Sequence, residues 1–585
     1  MKHVLYIAMA LVLPTTLAAQ TLDAFEEAGT EAETHFFEKT RAAREAKEAL
    51  WLYLDANRPS EAISAEIRGD LSPADKARLA GGAFTKSSSG QTIELIGLEQ
   101  QVAVPIALRE SQSLLRGKSL VLGDSGMTHE GDAVWATSLS SEGANGLRIH
   151  FTDFDLPTGA ELYIYNDDGQ AHGPYSGKGP IGTGDFWSNT VHGDQAWIQL
   201  HRPLDDSGKP VEVSFTIAAL SHLGPEFQQG RSGFEKADCS ANVDCIVNVN
   251  CYDDQPLATA RRAVARIVFQ VPGGTGGCSG GLLNDSDSTD RTPWFLTANH
   301  CISTESSANS VEAFFRYDSP CGSCDGDDSS TVLGATLRAR GGYPTGDFSL
   351  LELSELPSGW GLFGWTSANV RNAPGTEITI LSHPQGQPQS VSEHEVITPR
   401  ANKPAMIFSE IVLGTDEGGS SGAPAFISGG KVVGIHSGAT LQTDPMDACD
   451  PATFDARQGA LSYFWKSVRP YLGSPSATNK MHIASVEVES SRFIGTSGAF
   501  YWSYAIVTVA DELGNGIPHA IVSGTFSGDQ SGSRSARTDE NGNALIIGPS
   551  FTSTASSFTF CVDDVSHEYF DTYDTASNVV TCASR

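Results

Sequence analysis

Three short stretches carry side chains able to break an acyl bond: FLTANHC (295–301), GDFSLLEL (346–353) and EGGSSGAP (417–424). They supply an imidazole at His300, a carboxylate at Asp347 and two adjacent hydroxyls at Ser420 and Ser421. A serine nucleophile needs a base to take its proton and a carboxylate to orient that base. It also needs amide donors where charge develops on the carbonyl oxygen. Each stretch alone is weak, because a histidine after an apolar strand is usually structural and small-residue loops are common. The three together, in the order His, Asp, Ser, form a specific combination.

The glycine loop can be read two ways. As Gly418-x-Ser420-x-Gly422 it fits a nucleophile elbow with Ser420 reactive. That motif needs a strand before it, a helix after it and the acid and histidine downstream. Here AFISGGKVVGIHSG follows, a turn between strands, and both partners lie upstream. As Gly419-Ser420-Ser421-Gly422-Ala423-Pro424 it resembles the nucleophile loop of chymotrypsin-like serine proteases. LTANHC and DFSLLEL resemble that family's histidine and aspartate motifs, and the chain order agrees. The resemblance implies a double β-barrel, with Ser421 as nucleophile, His300 as base and Asp347 as its orienting acid. It also implies an oxyanion hole from the Gly419 and Ser421 N–H groups, and support from Ser437 in GIHSG (434–438). A glycine at 419 suits a turn that a Cβ would hinder.

The likeness narrows to one branch. CIVNVNCYDD (245–254), CSGGLLN, WFLTANHC, DFSLLEL and EGGSSGAP resemble bacterial lysyl endopeptidases, over roughly 240 to 470. In these a serine precedes the nucleophile and a glutamate lies four residues before it, the place of Glu417. Ser420 cannot pair with a freed N-terminal amine as the more usual aspartate does, so removal or displacement of the pro-sandwich is the expected activation. The pocket-floor position of trypsin-like enzymes falls on Thr415, which is no acid. Glu417, Asp416 and Asp455 are the nearby acids, and Glu417, Ser437, Gly438 and Asp455 are the expected substrate contacts. An acid near a closed pocket suits a cation, so cleavage after Lys, or Lys and Arg, is the expectation. The resemblance also implies the pairs Cys278–Cys301, Cys245–Cys449 and Cys251–Cys321, leaving Cys239 with Cys324 and Cys561 with Cys582. Cys278–Cys301 would close a loop of about 23 residues, worth about 3 kcal/mol on the chain-entropy view.

These residues need a scaffold, and the chain has 585 residues, too many for one core. Residues 1–19 read as a secretory signal: Lys2 and His3, the apolar run Val4–Leu13, then small residues to Ala19. The run is too short to span a bilayer. Export favours disulfides among the ten cysteines, none of which precedes 239. Residues 20–236 read as a propeptide: a helix over 23–58, a cysteine-free β-sandwich over about 90–222 and a linker at 223–236 carrying Arg231 and Lys236. The 140–205 region resembles the propeptide of lysyl endopeptidase precursors. Residues 237–474 form the protease domain, ending in ALSYFWKSVRPYLG with helical period up to Pro470. Residues 481–585 form a last β-sandwich, in which AIVTVADELGNGIPHAIVSGTF and ARTDENGNALII read as hairpins.

A net charge of −32 argues against nucleic acid and anionic membranes as partners. Protein substrates and the chain's own propeptide are the expected partners, for a monomer. No paired-histidine zinc motif occurs, and DGDDSS (325–330) and DENGN (539–543) read as turns rather than calcium loops, so no metal or cofactor is expected. The competing class is a secreted binding or adhesion protein with a dead protease-like domain; the presence of all three triad residue types argues against it.

Overall fold

The structure is a computed structural model that describes residues 21–26, 29–59, 66–86, 92–108, 122–225, 227, 245–252, 258–287, 291–323, 330–441, 449–473, 480–495, 498–511, 516–517, 520–539, 541–549, 557–567 and 572–585. Residues 1–19, most of the 223–236 linker, Cys239 and Cys324 lie outside them. No helix among the described residues is long and apolar enough to cross a membrane. The chain divides into two compact units, Thr21–Leu472 and one that takes in Gly473–Arg585.

Val264–Val271 is buried at every position, as a strand covered on both faces must be. It pairs antiparallel with Gly274–Leu283 and with Glu312–Phe315. The sheet continues through Trp294–Ala298, Phe348–Leu353 and Ala335–Gly341 on one side, and Ser330–Leu333 on the other. This is a half-barrel, a curled sheet whose end strands are joined through Gly334 and do not pair. A second set closes completely. Glu377–Ser382, Ser390–Val396, Met406–Leu413, Phe454–Ala460, Lys431–Leu441 and Pro424–Ile427 pair in that order, and the last returns to the first. Closure removes the exposed sheet edge. The mainly β, double-barrel fold of chymotrypsin-like proteases read from the sequence is borne out.

The helix Leu461–Leu472 runs on past Pro470. Proline gives up an N–H and crowds the preceding turn, but the final turn is anchored by Leu472, fully buried, whose carbonyl accepts from Ser286 N–H at 2.9 Å. Ahead of the barrels, the helix Gly29–Ala56 leads into two facing sheets. One contains Ala133–Ser140, Glu161–Tyr165 and Gln195–Arg202; the other contains Thr92–Leu108, Gly146–Thr152 and Val213–Leu223. Phe151, Phe154, Phe186 and Phe215 fill the space between them. The described part of this region also has a helix at Pro73–Ala80, capped by Ser72, and a short strand Ala83–Lys86.

Within the second unit, two four-stranded sheets enclose Ile483, Val507, Val522, Phe526 and Phe560. Neither expected hairpin forms. Gly498–Asp511 pairs with Lys480–Gly495 and Asn543–Ile547, whereas Ile521–Gly528 pairs with Gly532–Arg537 and Phe558–Ser566. Both Gly/Asn-rich connections therefore cross between sheets, because turn chemistry permits a reversal without deciding which sheet the next strand joins. In DENGN, Asp539 accepts from the N–H groups of Asn541 and Asn543 at 2.9 and 2.8 Å, an Asx turn.

Candidate active site

Strand register brings the histidine and aspartate together. Trp294–Ala298 runs antiparallel to Phe348–Leu353 with Ala298 opposite Phe348. The residues just beyond one strand and just before the other, His300 and Asp347, therefore emerge at the same end of the sheet. Asp347 holds His300 with both oxygens: Oδ2 lies 2.7 Å from Nδ1, and Oδ1 accepts from the His300 backbone N–H at 3.0 Å. Ser437 Oγ donates to Asp347 Oδ2, and Asn299 N–H donates to the Asp347 carbonyl at 2.9 Å. Asp347 is fully buried and His300 is 7% exposed.

The Asp347 turn is shaped by the terminal helix. Gly346 has φ +103° and Asp347 has φ +51°, the left-handed region that Asp tolerates better than most residues. A Cβ on Gly346 would sit 2.8 Å from Phe464 Cδ1, and Phe464 stacks on Phe348 at 4.2 Å.

Ser421 sits in a turn clamped from three sides. Ser279 N–H donates to the Ser421 carbonyl at 2.8 Å, Ser279 Oγ donates to the Gly419 carbonyl at 2.8 Å, and Gly422 N–H donates to the His436 carbonyl at 2.8 Å. The Ser421 carbonyl also lies 3.9 Å from Cys301 Sγ, which places the residue against the His300–Cys301 pair. Ser420 points away: it is fully buried, and its Oγ accepts from Ser382 Oγ at 3.0 Å. Glycine is required twice. Gly419 has φ +97° and Gly422 has φ +85°, and a Cβ on Gly422 would meet Thr297 Oγ1 at 2.2 Å. Among the described residues, the N–H groups of Gly419 and Ser421 donate to no backbone or side-chain acceptor.

Among the described residues four disulfides are formed: Cys245–Cys449, Cys251–Cys321, Cys278–Cys301 and Cys561–Cys582. Cys278–Cys301 ties the histidine turn to Gly274–Leu283. Its sulfurs lie close to His300, but as a disulfide they are not thiolate metal ligands.

Residues 239–448 match the family model described as the C-terminal domain of lysyl endopeptidase. Solved structures that match part of the chain include the protease Anisep from Arthrobacter nicotinovorans, at 16% identity and TM-score 0.27, covering 36% of this chain and 96% of that one. A Glu endopeptidase in complex with MPD matches at 15% identity and TM-score 0.27, covering 40% and 99%. The inactive form of Rv3671c from M. tuberculosis, a Ser343Ala mutant, matches at 14% identity and TM-score 0.26, covering 39% and 96%.

The expected substrate contacts are not gathered equally. Ser437 and Gly438 lie beside the Asp347–His300 pair, on the inner strand Lys431–Leu441. Glu417 is half-buried next to the Ser421 turn, where its carbonyl accepts from Ser420 N–H at 3.0 Å. Burial pushes its carboxyl up, with Glu94 and Asp416 adding to the shift. Asp455 lies differently from Ser437 and Gly438. The register sets Thr440 opposite Asp455 and Gly438 opposite Arg457, so the arginine, not the acid, pairs with Gly438. Asp455 instead forms an ion pair with Arg400. Arg457 Nη2 donates to the Ser437 carbonyl at 3.4 Å, and its guanidinium lies over the Tyr343 ring at 5.0 Å.

One cluster escaped sequence reasoning. Asp416 is buried between His394 and His436, whose ring nitrogens lie 3.2 and 3.4 Å from its Oδ2, while Ser392 Oγ donates to its Oδ1 at 2.7 Å. Burial alone would raise the Asp416 carboxyl, but the imidazoles and the hydroxyl outweigh it and hold the group ionised. Burial pushes His436 down to about 4 despite Asp416. The sequence offered Asp416 as an acid near the Ser421 loop and His436 within GIHSG; His394 and Ser392 come from the strand Ser390–Val396, which no local pattern linked to them.

Proposed function

We propose that the chain is a serine endopeptidase, made as a secreted precursor, that cuts peptide bonds through His300, Asp347 and Ser421. The observation that carries this reading is the two-point grip of Asp347 on His300, at the end of the sheet against which the Ser421 turn is clamped. In the reaction, His300 Nε2 takes the Ser421 Oγ proton as that oxygen attacks the substrate carbonyl. Asp347 keeps the proton on Nδ1 and stabilises the imidazolium. The Gly419 and Ser421 N–H groups receive the oxyanion, a donor of this kind being worth about 3 kcal/mol of barrier. The imidazolium then protonates the leaving amine. Water attacks the acyl-enzyme through the same base, releasing the acid and restoring Ser421.

Cleavage after Lys is supported by the match of residues 239–448 and by Glu417 beside the turn. A second reading, preference for an acidic substrate side chain, is favoured by Arg457, which flanks Gly438 while Asp455 is taken by Arg400. Substrates are proteins or peptides, and the chain acts as a monomer outside the cytoplasm, which suits the four disulfides among its described residues.

A phosphonylating active-site probe tests the reaction. Label is expected on Ser421 in the native chain and absent from Ser421→Ala and His300→Ala; a folded native protein that takes no label would overturn the reading. Digestion of an unstructured protein, with sequencing of the new ends, decides specificity. Ends after Lys support Glu417 as selector, ends beside Asp or Glu support Arg457, and ends after large apolar residues refute both.

A further inference from the structure

We infer that the β-sandwich of residues 66–227 is a resident partner of the barrels, remaining bound after the chain between them is cut, rather than a segment that leaves on activation. Three observations carry this.

The first is a shared sheet. Thr92–Leu108 pairs with Val213–Leu223 inside the sandwich, and through Leu95–Leu98 it also pairs with Gly274–Gly276 of the half-barrel. The two backbones meet so closely that a Cβ on Gly274 would lie 2.3 Å from the Gly97 carbonyl oxygen. Departure of the sandwich would leave one edge of Gly274–Gly276 without its ladder partner.

The second is a charge network with no exposure to water. Glu312 of the half-barrel is fully buried, and its carboxylate is met by sandwich groups. Asn189 Nδ2 donates to it at 2.8 Å, Thr190 N–H at 2.9 Å and Thr190 Oγ1 at 2.7 Å, and Arg148 Nε lies 3.7 Å away. Arg148, also fully buried, donates to the carbonyls of Ser188 at 3.1 Å and Ser310 at 2.8 Å, one on each side of the boundary. Buried charges persist when they are paired and hydrogen-bonded, and of the polar atoms of this pair only Arg148 Nη1 has no hydrogen-bond partner among the described residues.

The third is an apolar seal that reaches the nucleophile turn. Leu223, Phe227 and Ile96 pack on Val268, Phe314 and Tyr317. Arg266 lies over the Phe227, Phe314 and Tyr317 rings at 4.5, 5.4 and 5.1 Å and donates to the Gly386 carbonyl at 3.0 Å. In that same loop, Gln385 N–H donates to the Gly418 carbonyl. The sandwich thus backs an arginine that holds the loop supporting the oxyanion turn.

The test uses the full chain carrying Ser421→Ala, with a site for an added sequence-specific protease placed within 228–244. Association does not need catalysis, so the result is independent of the serine protease reading. After cutting, the two pieces are expected to co-elute on size exclusion in both low and high salt; separate elution overturns the proposal. Glu312→Gln, which leaves Arg148 buried without its counter-charge, is expected to speed dissociation on the order of 100-fold. The Arg148→Met/Glu312→Leu pair, which replaces both charges with apolar groups, is expected to co-elute as the parent does. A cut Glu312→Gln chain that dissociates no faster than the parent would remove the charge network from the account.

Discussion

Asp347 sits at φ +51° with no exposure to solvent, a costly posture for a non-glycine residue. It is held by the Asn299 and Gly342 backbones, by His300 and by Ser437. A strained, over-determined acid of this kind fixes the orientation of an imidazole. Asp347→Asn keeps the shape but offers an N–H where Nδ1 needs an acceptor, so kcat is expected to fall by about four orders of magnitude with the melting temperature little changed. Ser437→Ala removes one donor to the carboxylate and leaves the tautomer intact, so a loss of about tenfold is expected, on the scale of one hydrogen bond to a charged group. Equal kcat in wild type and Asp347→Asn would mean that another carboxylate orients His300. Gly422→Ala is expected to cost both folding yield and turnover, since the new methyl collides with Thr297 and the Ser279 carbonyl.

At the scale of elements, the histidine turn depends on a strand end and a covalent tie. Cys278 and Cys301 are 23 residues apart in sequence and link the strand Gly274–Leu283 to the turn that follows Trp294–Ala298. Replacing both with alanine is expected to lower stability by about 3 kcal/mol, read from denaturant midpoints. Turnover should fall further than that loss explains, because His300 precedes Cys301. The helix Leu461–Leu472 is the matching tie for the acid: Phe464 stacks on Phe348 and fills the space above Gly346. Its apolar spacing was legible in the sequence, whereas the turn it braces was not, because Phe464 and Gly346 are joined only by packing.

For the whole molecule, buried neutral imidazoles set the response to acid. Burial pushes His383 down to about 3 and His436 down to about 4, against an unfolded value of about 6.5. The unfolded chain therefore binds more protons than the folded one as pH falls below about 6.5. Their contribution is fully present above that pH and is lost as pH falls towards the folded values. The melting temperature is expected to drop between pH 6.5 and 4, and His383→Gln is expected to flatten that slope. A slope unchanged by the substitution would exclude His383 as a source.

The sequence by itself determined the chemistry and the kind of scaffold: which imidazole, carboxylate and hydroxyl are available, the glycines at 419 and 422 that free the turn, and the period-two strands that make a β fold. These are local properties, written in residue type and short-range spacing. Tertiary structure decided what depends on register and on long-range pairing. It set Arg457 rather than Asp455 opposite Gly438, placed Asp416 between His394 and His436, and sent two turns across sheets instead of closing hairpins. It also buried Glu312 against Arg148. A shift of one residue in pairing turns a strand's side chains to the opposite face, and no local pattern specifies which distant strand supplies the partner.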